Sequence, residues 1–500
     1  MHPEALRTVP ARPVTTGPGT TGTVTTGTGT DRPWAVETRG LDPVPDGDRH
    51  GRPSELFWVW LAANLGIIGV VYGAIVASLG LDLWQGVGVA VVGSALSFLL
   101  VGVLGVAGKR AGLPMLVLSR VPFGRWGNIG PAVVSWVSLV GWETVTAVVA
   151  ADALAALAER TLHLASSATL TFAALVAVAS ISLVLGRLGH ATIVAVQRLV
   201  AWIFGALTLG ICPVLAQRAH WSALLSARPG PHLAVVSGLS IVVASGGISW
   251  VNLSADYSRY LPRRESSAKV VGWTTLGAVL PLSVLVVVGV VLASAIPGLA
   301  GASNPVAAVG SVLPAWMAAP YLLVALGGLL SQMVMGLYSS GLGLLVLGVR
   351  VRRSRTVLID TSVVVLVGSL FTIVHHGFLA PFVSFVELLA CPIATWAAVF
   401  VIDMAVRRRR RGAAGPAGAA GDGGSDGEGE RGLRLWAVLA WLAGTAVGLA
   451  CTASPLFTGP LALGIFAGSS LGYFLGFSVS GALYLLAEMT TSRRARSVAR

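Results

Sequence analysis

The sequence predicts an all-α polytopic membrane protein with about 12 transmembrane helices. First, 55% of its 500 residues are hydrophobic and only 11% are charged, whereas soluble domains carry about 25% charged residues. Second, apolar runs of about 20 residues, the length that crosses a bilayer, recur along the chain. Third, two of these runs, five spans apart, are interrupted by polar residues and glycines. Strands of a membrane β-barrel would be shorter and would alternate polar with apolar residues.

The predicted spans divide the chain into a core, a linker and two tails. Residues 1–54 are rich in Thr, Gly and Pro and are predicted to be a disordered tail. The core of 55–404 holds ten spans, and 433–489 holds two more. A basic, then acidic and Gly-rich linker of 405–432 separates them, and 490–500 is a basic tail. The predicted limits of the spans are 56–79, 85–107, 129–157, 167–185, 191–215, 234–258, 270–296, 317–348, 356–374, 378–404, 434–453 and 459–488.

Basic residues lie mainly on one side of the predicted spans. If the N-terminus is inside, the outer loops hold only Arg160, Arg218 and Arg228. Loops rich in Lys and Arg face the cytosol in membrane proteins. We therefore predict that both termini are cytosolic and that the membrane is the plasma membrane. The inner loops hold Lys109, Arg110, Arg120, Arg125, Arg187, Arg259, Arg263, Arg264, Lys269, Arg350, Arg352, Arg353, Arg355 and Arg407 to Arg411.

Charge, cysteine content and motifs exclude several classes of function. The formal net charge of +13 comes largely from these loops, so nucleic-acid binding is not predicted. Cys212, Cys391 and Cys451 lie in apolar runs without paired spacing, which predicts neither a disulfide framework nor a zinc site. The chain contains no HExxH or Walker sequence. We therefore predict neither an enzyme nor an ATP-driven pump, and no cofactor.

The two interrupted spans are the first and the sixth. The first contains Asn64 and Gly66, and the sixth contains GGISWVNLSADYSRYLPRR at 246–264. Broken helices at equivalent points of two inverted repeats are typical of transporters that bind their substrate near the bilayer midplane. We therefore predict inverted repeats at 56–215 and 234–404.

The sixth span is predicted to break near Trp250 to Ser254, beside a cavity. Irregular backbone at membrane depth needs polar partners or a water-filled cavity. We expect Asn252 and Ser254 in the sixth span, and Asn64 and Gly66 in the first, to lie at the two breaks. The polar side chains among them would satisfy backbone groups freed there.

Five motifs in order resemble one family, the nucleobase:cation symporters of the purine, cytosine and hydantoin permeases, in their bacterial cytosine-permease-like branch. The resemblance covers residues 36 to about 404, and it implies the leucine-transporter-type fold of five-plus-five inverted repeats. It also implies alternating access and symport of a nucleobase-like ring with a cation. The motifs are FWVWLAANLG at 57–66, LSRVPFGRWGN at 118–128, VGWETV at 140–145, ISWVNLSADYSRYLPR at 248–263 and LYSSGLGLLVLG at 337–348.

The resemblance assigns substrate contacts to aromatic and amide positions. Trp142 and Trp250 match tryptophans that sandwich the ring in the family, whereas Trp60 and other tryptophans at span ends fit interfacial anchors. At Thr146 the family presents an amide, so a hydroxyl here is a departure with fewer hydrogen-bonding groups. Gln332 aligns with the family's Asn in the eighth span. Its amide either binds the polar edge of the ring or forms a hydrogen bond to a neighbouring helix.

Glu143 is the acid most expected to have a function. It follows Trp142 far from either end of its span, where an ionised carboxylate is costly. It accepts hydrogen bonds from N–H groups of a base, or carries the coupling proton, or is the structural hydrogen-bond partner of a polar group on a neighbouring helix. The first role favours rings with several N–H donors, such as cytosine, adenine or guanine, over uracil. Asp152 and Glu387 are further intramembrane acids without neighbours that indicate a pocket.

The identity of the coupling cation is predicted from side-chain oxygens that are missing in the eighth span. Sodium-coupled relatives carry a Ser-Thr pair in the eighth span. The aligned positions here are Leu326 and Gly327, which offer no side-chain oxygen for a hard cation. A proton is therefore favoured over sodium.

Asp256 and Arg259 are three residues apart and are predicted to pair on one helix face. Arg259 would then snorkel toward the headgroups. The pair either anchors the inner half-helix and contributes to a cytoplasmic gate, or acts as a structural cap.

The predicted function is thus a secondary symporter that imports a nucleobase or related heterocycle such as cytosine or a purine, coupled to protons. It would work in the lipid bilayer as a monomer, because a five-plus-five repeat encloses its own site. The alternative is a transporter of the same fold for another substrate class, possibly sodium-coupled. That class includes allantoin or hydantoin, a vitamin-like heterocycle, an organic cation or an amino acid.

Overall fold

The computed structural model describes residues 32–374, 384–385, 388–419, 432–454, 456–467 and 471–498. The regular structure in these ranges is helical, apart from an isolated bridge between Ala453 and Thr458. Ten of the helices are long and apolar enough to cross a membrane, or up to eleven if a bent pair counts as one span. The predicted all-α polytopic fold is therefore confirmed.

The main helices follow the predicted spans closely, and short helices connect some of them. In chain order they are α1 (Glu55–Ala63), α2 (Ile68–Ser78), α3 (Leu83–Ala111), α4 (Ile129–Leu162), α5 (Ala168–Leu188), α6 (His190–Ala216), α7 (His232–Ser245), α8 (Ser267–Leu292), α9 (Ala315–Val346), α10 (Arg353–Ser369), α11 (Ala390–Ala419), α12 (Leu435–Ala450) and α13 (Leu471–Val498). The short helices are Met115–Leu118, Arg120–Gly127, Trp221–Ser226 and Pro305–Gly310.

The ends of α3 show how local sequence sets helix boundaries. Asp82 accepts a hydrogen bond from the backbone N–H of Gln85 (2.7 Å), and the Gln85 side chain accepts one from the Asp82 N–H (3.2 Å). This capping box satisfies backbone donors that the first turn leaves free. The helix ends at Gly112, whose φ of 71° is in the left-handed region that favours glycine.

The first predicted span is broken into α1 and α2, which meet at 63° across residues 64–67. Asn64 donates its side-chain amide to the Trp60 carbonyl (2.9 Å). An ideal Cβ at Gly328 of α9 would lie 2.5 Å from the Leu65 carbonyl oxygen, so this irregular backbone lies directly against α9. The break is thus placed in protein rather than in lipid, as irregular backbone at membrane depth requires.

The sixth span breaks at Gly246, four residues before the predicted Trp250. The helix α7 ends at Ser245, and a 3-10 segment follows from Gly247 to Leu253. Ser97 of α3 occupies the break: its hydroxyl donates to the Val243 carbonyl (2.8 Å) and accepts from the Gly247 N–H (2.5 Å). A side chain at Gly247 would collide with Ser97. The position of the break therefore depends on a residue of another helix.

Glycines allow α8 to pack closely on α2. The helix α8 contacts α1, α2 and α3. A Cβ at Gly289 would strike the Val70 carbonyl oxygen, and one at Gly73 would strike the Val286 carbonyl oxygen. Small residues at such crossings let helix backbones approach each other in membrane proteins.

We expect Gly289→Ala to lower the thermal stability of the detergent-solubilised protein. The added methyl group has no space against the α2 backbone, and overpacking of this kind costs about 1–3 kcal/mol. Gly272→Ala on the same helix is the matched control, since a Cβ there finds no atom within 4 Å. Fluorescence-detected thermal unfolding compares the two variants, and equal melting temperatures would contradict the close approach.

The segment 32–54 is folded against one end of the bundle, although the sequence analysis places it in a disordered tail. Val44 donates its N–H to the Gly112 carbonyl (2.9 Å), and His50 donates its N–H to the Tyr260 carbonyl (2.8 Å). Glu37, Val44 and Arg49 are buried there. We call the end of the bundle where residues 32–54 lie the N-terminal face. Residues 1–31 lie outside the described residues.

Two other boundaries differ from the predicted ones. The helix α11 continues to Ala419, into the predicted linker of 405–432, because its arginines and alanines are good helix formers. The helix α13 begins at Leu471 rather than 459, since residues 456–467 form turns and a 3-10 segment at Gly464–Phe466. The rest of the linker, from 420 to 431, lies outside the described residues.

Candidate functional site

A cavity lies between the two broken spans. It is bounded by the α1–α2 break, the middle of α4, the break after α7 and the middle of α9. Seven residues that the sequence analysis singles out line it: Asn64, Gly66, Trp142, Glu143, Thr146, Trp250 and Gln332. Three further polar residues line the cavity and were not predicted from the sequence: Tyr72, Ser245 and Ser249.

Two half-buried tryptophans contribute the aromatic surface of the cavity. Trp142 comes from α4 and Trp250 from the 3-10 segment after the break. The Trp250 ring is held edge-on by the ring of Trp60, with centroids 5.8 Å apart and planes at 85°. Trp60 is only 1% exposed, so it is a packing residue and not the interfacial anchor that its place near a span end indicated. Both cavity tryptophans can present a ring face to a flat ligand.

The cavity offers amide and hydroxyl groups beside the aromatic rings. The Gln332 amide lies against the first break, because an ideal Cβ at Gly66 would be 2.8 Å from its Nε2 atom. The Thr146 hydroxyl donates within its own helix, to the carbonyls of Trp142 (2.7 Å) and Glu143 (3.0 Å). Thr146 therefore offers lone pairs rather than a donor to a ligand.

Glu143 is 2% exposed, and its side chain packs against α9. An ideal Cβ at Gly336 would lie 2.8 Å from Oε1 and 2.9 Å from Cγ, so Gly336 makes room for the carboxyl group. Among the residues that the structure describes, neither carboxyl oxygen has a partner at hydrogen-bond distance, although the Ser340 hydroxyl is near enough to interact with the carboxyl group. A buried polar group is normally hydrogen-bonded, so this side chain is available to a ligand or a proton.

A second buried acid, Asp360 on α10, was missed by the sequence analysis. It is fully buried, and it accepts hydrogen bonds from the indole of Trp136 (2.9 Å) and the hydroxyl of Ser340 (2.9 Å). Its carboxyl group interacts electrostatically with that of Glu143. Its position could have been recognised from the sequence, because Asp360 is an acid within the apolar run of the ninth predicted span. It lies outside all five family motifs.

The other intramembrane acids do not line the cavity in the described part of the chain. Asp152 lies further along α4, where Asn304 donates to it at 3.4 Å. Glu387 lies outside the described residues.

Asn252 and Ser254 lie away from the cavity, which corrects their predicted role there. Asn252 donates to the Ser135 hydroxyl of α4 (2.7 Å), and Ser254 donates to the Val251 carbonyl (3.1 Å). Both follow the true break at Gly246: the Asn252 side chain joins α4, whereas the Ser254 side chain bonds within its own turn. The hydrogen bond of Ser254 to a local backbone carbonyl is the one part of the expected role that the structure shows for these two residues.

Asp256 and Arg259 do not pair with each other. Asp256 accepts from the N–H of Met115 (2.8 Å). Arg259 is fully buried, so it does not snorkel toward headgroups. It instead pairs with Glu37 (2.7 Å) and donates to the Gly40 carbonyl (2.9 Å). The prediction failed because the partner of Arg259 lies in the segment that was expected to be disordered.

Glu37 is the centre of a buried cluster on the N-terminal face. It also accepts hydrogen bonds from the hydroxyls of Tyr260 (2.7 Å) and Tyr338 (3.2 Å) and from the N–H of His190 (2.9 Å). Arg353 lies 3.8 Å from its carboxylate and 4.5 Å from the centre of the Tyr338 ring. The cluster thus joins the N-terminal segment to the sixth span and to α6, α9 and α10.

The positions aligned with a sodium-binding pair, Leu326 and Gly327, carry no side-chain oxygen. Gly327 lies against the ring of Phe204 from α6. One turn further along α9, the Ser331 hydroxyl donates to the Gln197 side chain (2.5 Å), whose amide donates back to the Ser331 carbonyl (3.1 Å).

Comparison with known proteins gives a family and a fold. Residues 43–476 match the family described as permease for cytosine/purines, uracil, thiamine, allantoin. The chain is 22% identical over 465 residues to a putative purine-cytosine permease of Bacillus subtilis, YxlA, covering 90% of this chain and 95% of that protein. It is 27% identical over 274 residues to the purine-cytosine permease fcyB of Emericella nidulans, covering 52% and 50% of the two chains.

The structure is similar to that of MHP1, a nucleobase-cation-symport-1 family transporter. The TM-score is 0.71 for its closed conformation with bromovinylhydantoin bound, at 18% identity, covering 91% of this chain and 96% of that chain. Its inward-facing conformation gives a TM-score of 0.67, covering 92% and 96%. A manganese transporter of Eremococcus coleocola follows at a TM-score of 0.54 and 14% identity, with 92% and 99% covered. These similarities confirm the predicted leucine-transporter-type fold.

Proposed function

Because the chain belongs to the family of permeases for cytosine/purines, uracil, thiamine and allantoin, we propose that it imports a nucleobase or related heterocycle, such as cytosine or a purine, together with protons. The observation that carries this proposal is the cavity at the two breaks. It combines two tryptophans, the amide of Gln332 and the unpartnered carboxyl group of Glu143.

The chemistry of the cavity suits a flat heterocycle. Trp142 and Trp250 would contact the two faces of a ring, while Gln332 and Glu143 would bind groups on its edge. When it is ionised, Glu143 supplies hydrogen-bond acceptors and no donor. It therefore favours rings with several N–H donors, such as cytosine, adenine or guanine.

Two features support a proton as the coupling cation. The first is Glu143, since a buried acid at membrane depth without a basic residue to pair with it is a typical proton carrier. The second is α9, where Gly327 packs on Phe204 and the Ser331 hydroxyl is engaged with Gln197. Neither position offers a free side-chain oxygen to a sodium ion.

We further propose that the protein works as a monomer in the plasma membrane with both termini in the cytosol. The cavity is built from helices of a single chain, and both sequence halves contribute to it. The excess of Arg in the loops on the N-terminal side supports the orientation. The N-terminal face is then the cytosolic face.

The unpartnered acid also supports a second candidate, a transporter of a cationic heterocycle. The family description includes thiamine. An unpaired carboxylate in the cavity would serve as the counter-ion of such a substrate. The two candidates differ in the charge that the substrate itself carries across the membrane.

The proposal is tested by uptake of radiolabelled cytosine, adenine, guanine, uracil, allantoin and thiamine into cells that lack their own carriers for these compounds. Each is measured at low and neutral pH, with and without sodium and with a protonophore. We expect saturable uptake of cytosine or a purine that the protonophore abolishes and sodium does not change. Uptake of thiamine alone would favour the second candidate, and uptake of none of the six would reject both.

We expect Trp142→Ala to reduce uptake of the transported base by about tenfold or more, because the loss of one stacked ring removes roughly 1–3 kcal/mol. Trp126→Ala is the control, since that side chain is 62% exposed and is not part of the cavity lining. Equal uptake by the two variants at equal expression would contradict a role of Trp142 in binding.

A further inference from the structure

Asp360 is a buried acid for which the proposed transport mechanism has no role so far. It is fully buried in α10 and is held by the indole of Trp136 and the hydroxyl of Ser340. Ionisable residues inside membrane proteins are costly and are mostly found on substrate, ion or proton pathways. Two hydrogen bonds position this carboxyl group without neutralising it.

The helix α9 connects Asp360 to the cavity acid. Gly336 and Ser340 are four residues apart and therefore lie on the same face of α9. The Glu143 side chain packs on Gly336, and the hydroxyl of Ser340, one turn further, donates to the Oδ2 atom of Asp360 (2.9 Å). Glu143, Ser340 and Asp360 thus form a row that runs from α4 across α9 to α10.

The titratable groups on α4, α5, α9 and α10 leave this row acidic. On α9 the titratable side chains are Tyr321 and Tyr338, and on α5 the one such group is Arg187. From the loop after the 3-10 segment, Tyr257 interacts electrostatically with Glu143, but its hydroxyl donates to the Met335 carbonyl (2.7 Å). The remaining groups on α4 and α10 are Asp152, Glu159, Arg160, Arg353 and Arg355.

In the described part of the chain, no Arg, Lys or His forms an ion pair with Glu143 or Asp360. Arg353 is the basic residue of α10 that is buried, and it is engaged with Glu37 and with the carbonyl of Gly186 (2.6 Å). Two interacting carboxyl groups without a cation between them favour sharing one proton.

We propose that Asp360 is a second proton-binding residue, and that the coupling proton moves between Glu143 and Asp360 through the hydroxyl of Ser340. In this step Glu143 gives its proton to Ser340 Oγ, directly or through one water molecule, while the Ser340 hydroxyl proton passes to Asp360 Oδ2. Glu143 becomes a carboxylate, Asp360 becomes a carboxylic acid and Ser340 remains a hydroxyl. The inference rests on the proposed proton-coupled transport.

The direction of this transfer matches the architecture. Asp360 lies seven residues after Arg353, which places it about 10 Å along the helix from the N-terminal face. Glu143 lines the cavity and Asp360 does not. Loss of the proton would therefore leave a carboxylate at Glu143 that can accept N–H groups of the substrate. Proton movement toward the N-terminal face would then accompany substrate binding.

The relay is tested without any substrate by infrared difference spectroscopy of the purified full chain as its pH is changed. We expect Glu143→Gln and Asp360→Asn each to remove one carboxylic-acid band and to shift the titration midpoint of the other by about one pH unit or more. Ser340→Ala keeps both acids. In that background, replacing either acid should shift the titration midpoint of the other by less than it does in the wild type. Asp152→Asn is the matched control on α4. If the Glu143 band titrates identically in wild type and Asp360→Asn, the relay is wrong.

The coupling is tested with cytosine in proteoliposomes. We expect Asp360→Asn to lower accumulation driven by a pH gradient by about tenfold or more, while exchange of cytosine between the two sides falls by less than about threefold. Full gradient-driven accumulation by Asp360→Asn would overturn the proposal. If wild-type protein moves no cytosine, the proposed substrate fails, whereas the infrared result still decides whether the two acids share a proton.

Discussion

Arg259→Ala is expected to destabilise the protein more than the substitution of any exposed arginine. Arg259 is fully buried, and its removal leaves Glu37 buried with one cationic neighbour fewer. Breaking a buried ion pair by deleting one partner costs about 3–5 kcal/mol, because the other charge remains without compensation. Hydroxyl groups of Tyr260 and Tyr338 still donate to Glu37, so we expect the lower end of that range. The melting temperature in detergent and the yield of monodisperse protein measure the effect.

Arg263→Ala is the matched control for this prediction. Arg263 lies four residues later in the same loop and pairs with Asp46 at 3.0 Å, but the two side chains are 61% and 67% exposed. Exposed ion pairs contribute about 0–1 kcal/mol, so the control should unfold close to the wild-type temperature. A double variant, Glu37→Ala with Arg259→Ala, should lose less than the sum of the two single losses, by about 1 kcal/mol or more. Strict additivity would show that the two residues do not act as a pair.

Glu143→Gln is expected to abolish concentrative uptake of the transported base. The amide keeps the size of the side chain but cannot release or take up a proton, and it replaces one acceptor oxygen by a donor group. A ring edge with N–H donors would then face an N–H group, which costs about 1–3 kcal/mol for each unsatisfied donor. Uptake against a gradient, measured between low and neutral pH, should fall by about tenfold or more and lose its pH dependence.

The comparison for this variant is Glu159→Gln, which changes an acid on the same helix outside the cavity lining. It should transport like the wild type at equal expression. Full uptake by Glu143→Gln with unchanged pH dependence would remove Glu143 from both substrate binding and proton coupling. The thermal stability of the variant is measured in parallel. An unfolded variant is replaced by Glu143→Asp, which keeps the proton but retracts the carboxyl group.

Helix positions follow from the sequence because each membrane helix satisfies its own backbone and needs only an apolar surface of sufficient length. The first break also follows, since Asn64 and Gly66 interrupt the apolar run at the place where the chain bends. The sixth break was placed four residues too late. The polar residues at 252–259 suggested it, whereas the backbone actually departs at Gly246, where Ser97 from α3 receives the freed groups. That contact spans 150 residues and leaves no local signal.

The residues that line the cavity could be placed through motifs, whereas their hydrogen-bond partners could not. Trp142, Glu143 and Trp250 belong to short segments that resemble a family, and the structure brings them to one cavity. Asp360 lies outside those segments, and its relation to Glu143 depends on the packing of three helices. Glu37 lies in a stretch whose composition predicts disorder, and it is ordered only because Arg259, Arg353 and two tyrosines surround it.

The cluster around Glu37 has a consequence for the order in which the protein is assembled. Glu37 is synthesised 222 residues before Arg259 and 316 residues before Arg353. At about 5–20 residues per second, the ribosome needs roughly 15 to 60 s to supply the last of these partners. Until then the site that the N-terminal segment occupies is incomplete. Docking of Glu37 therefore requires the first repeat and most of the second, and a nascent chain that stops before α10 would carry this segment exposed to proteases.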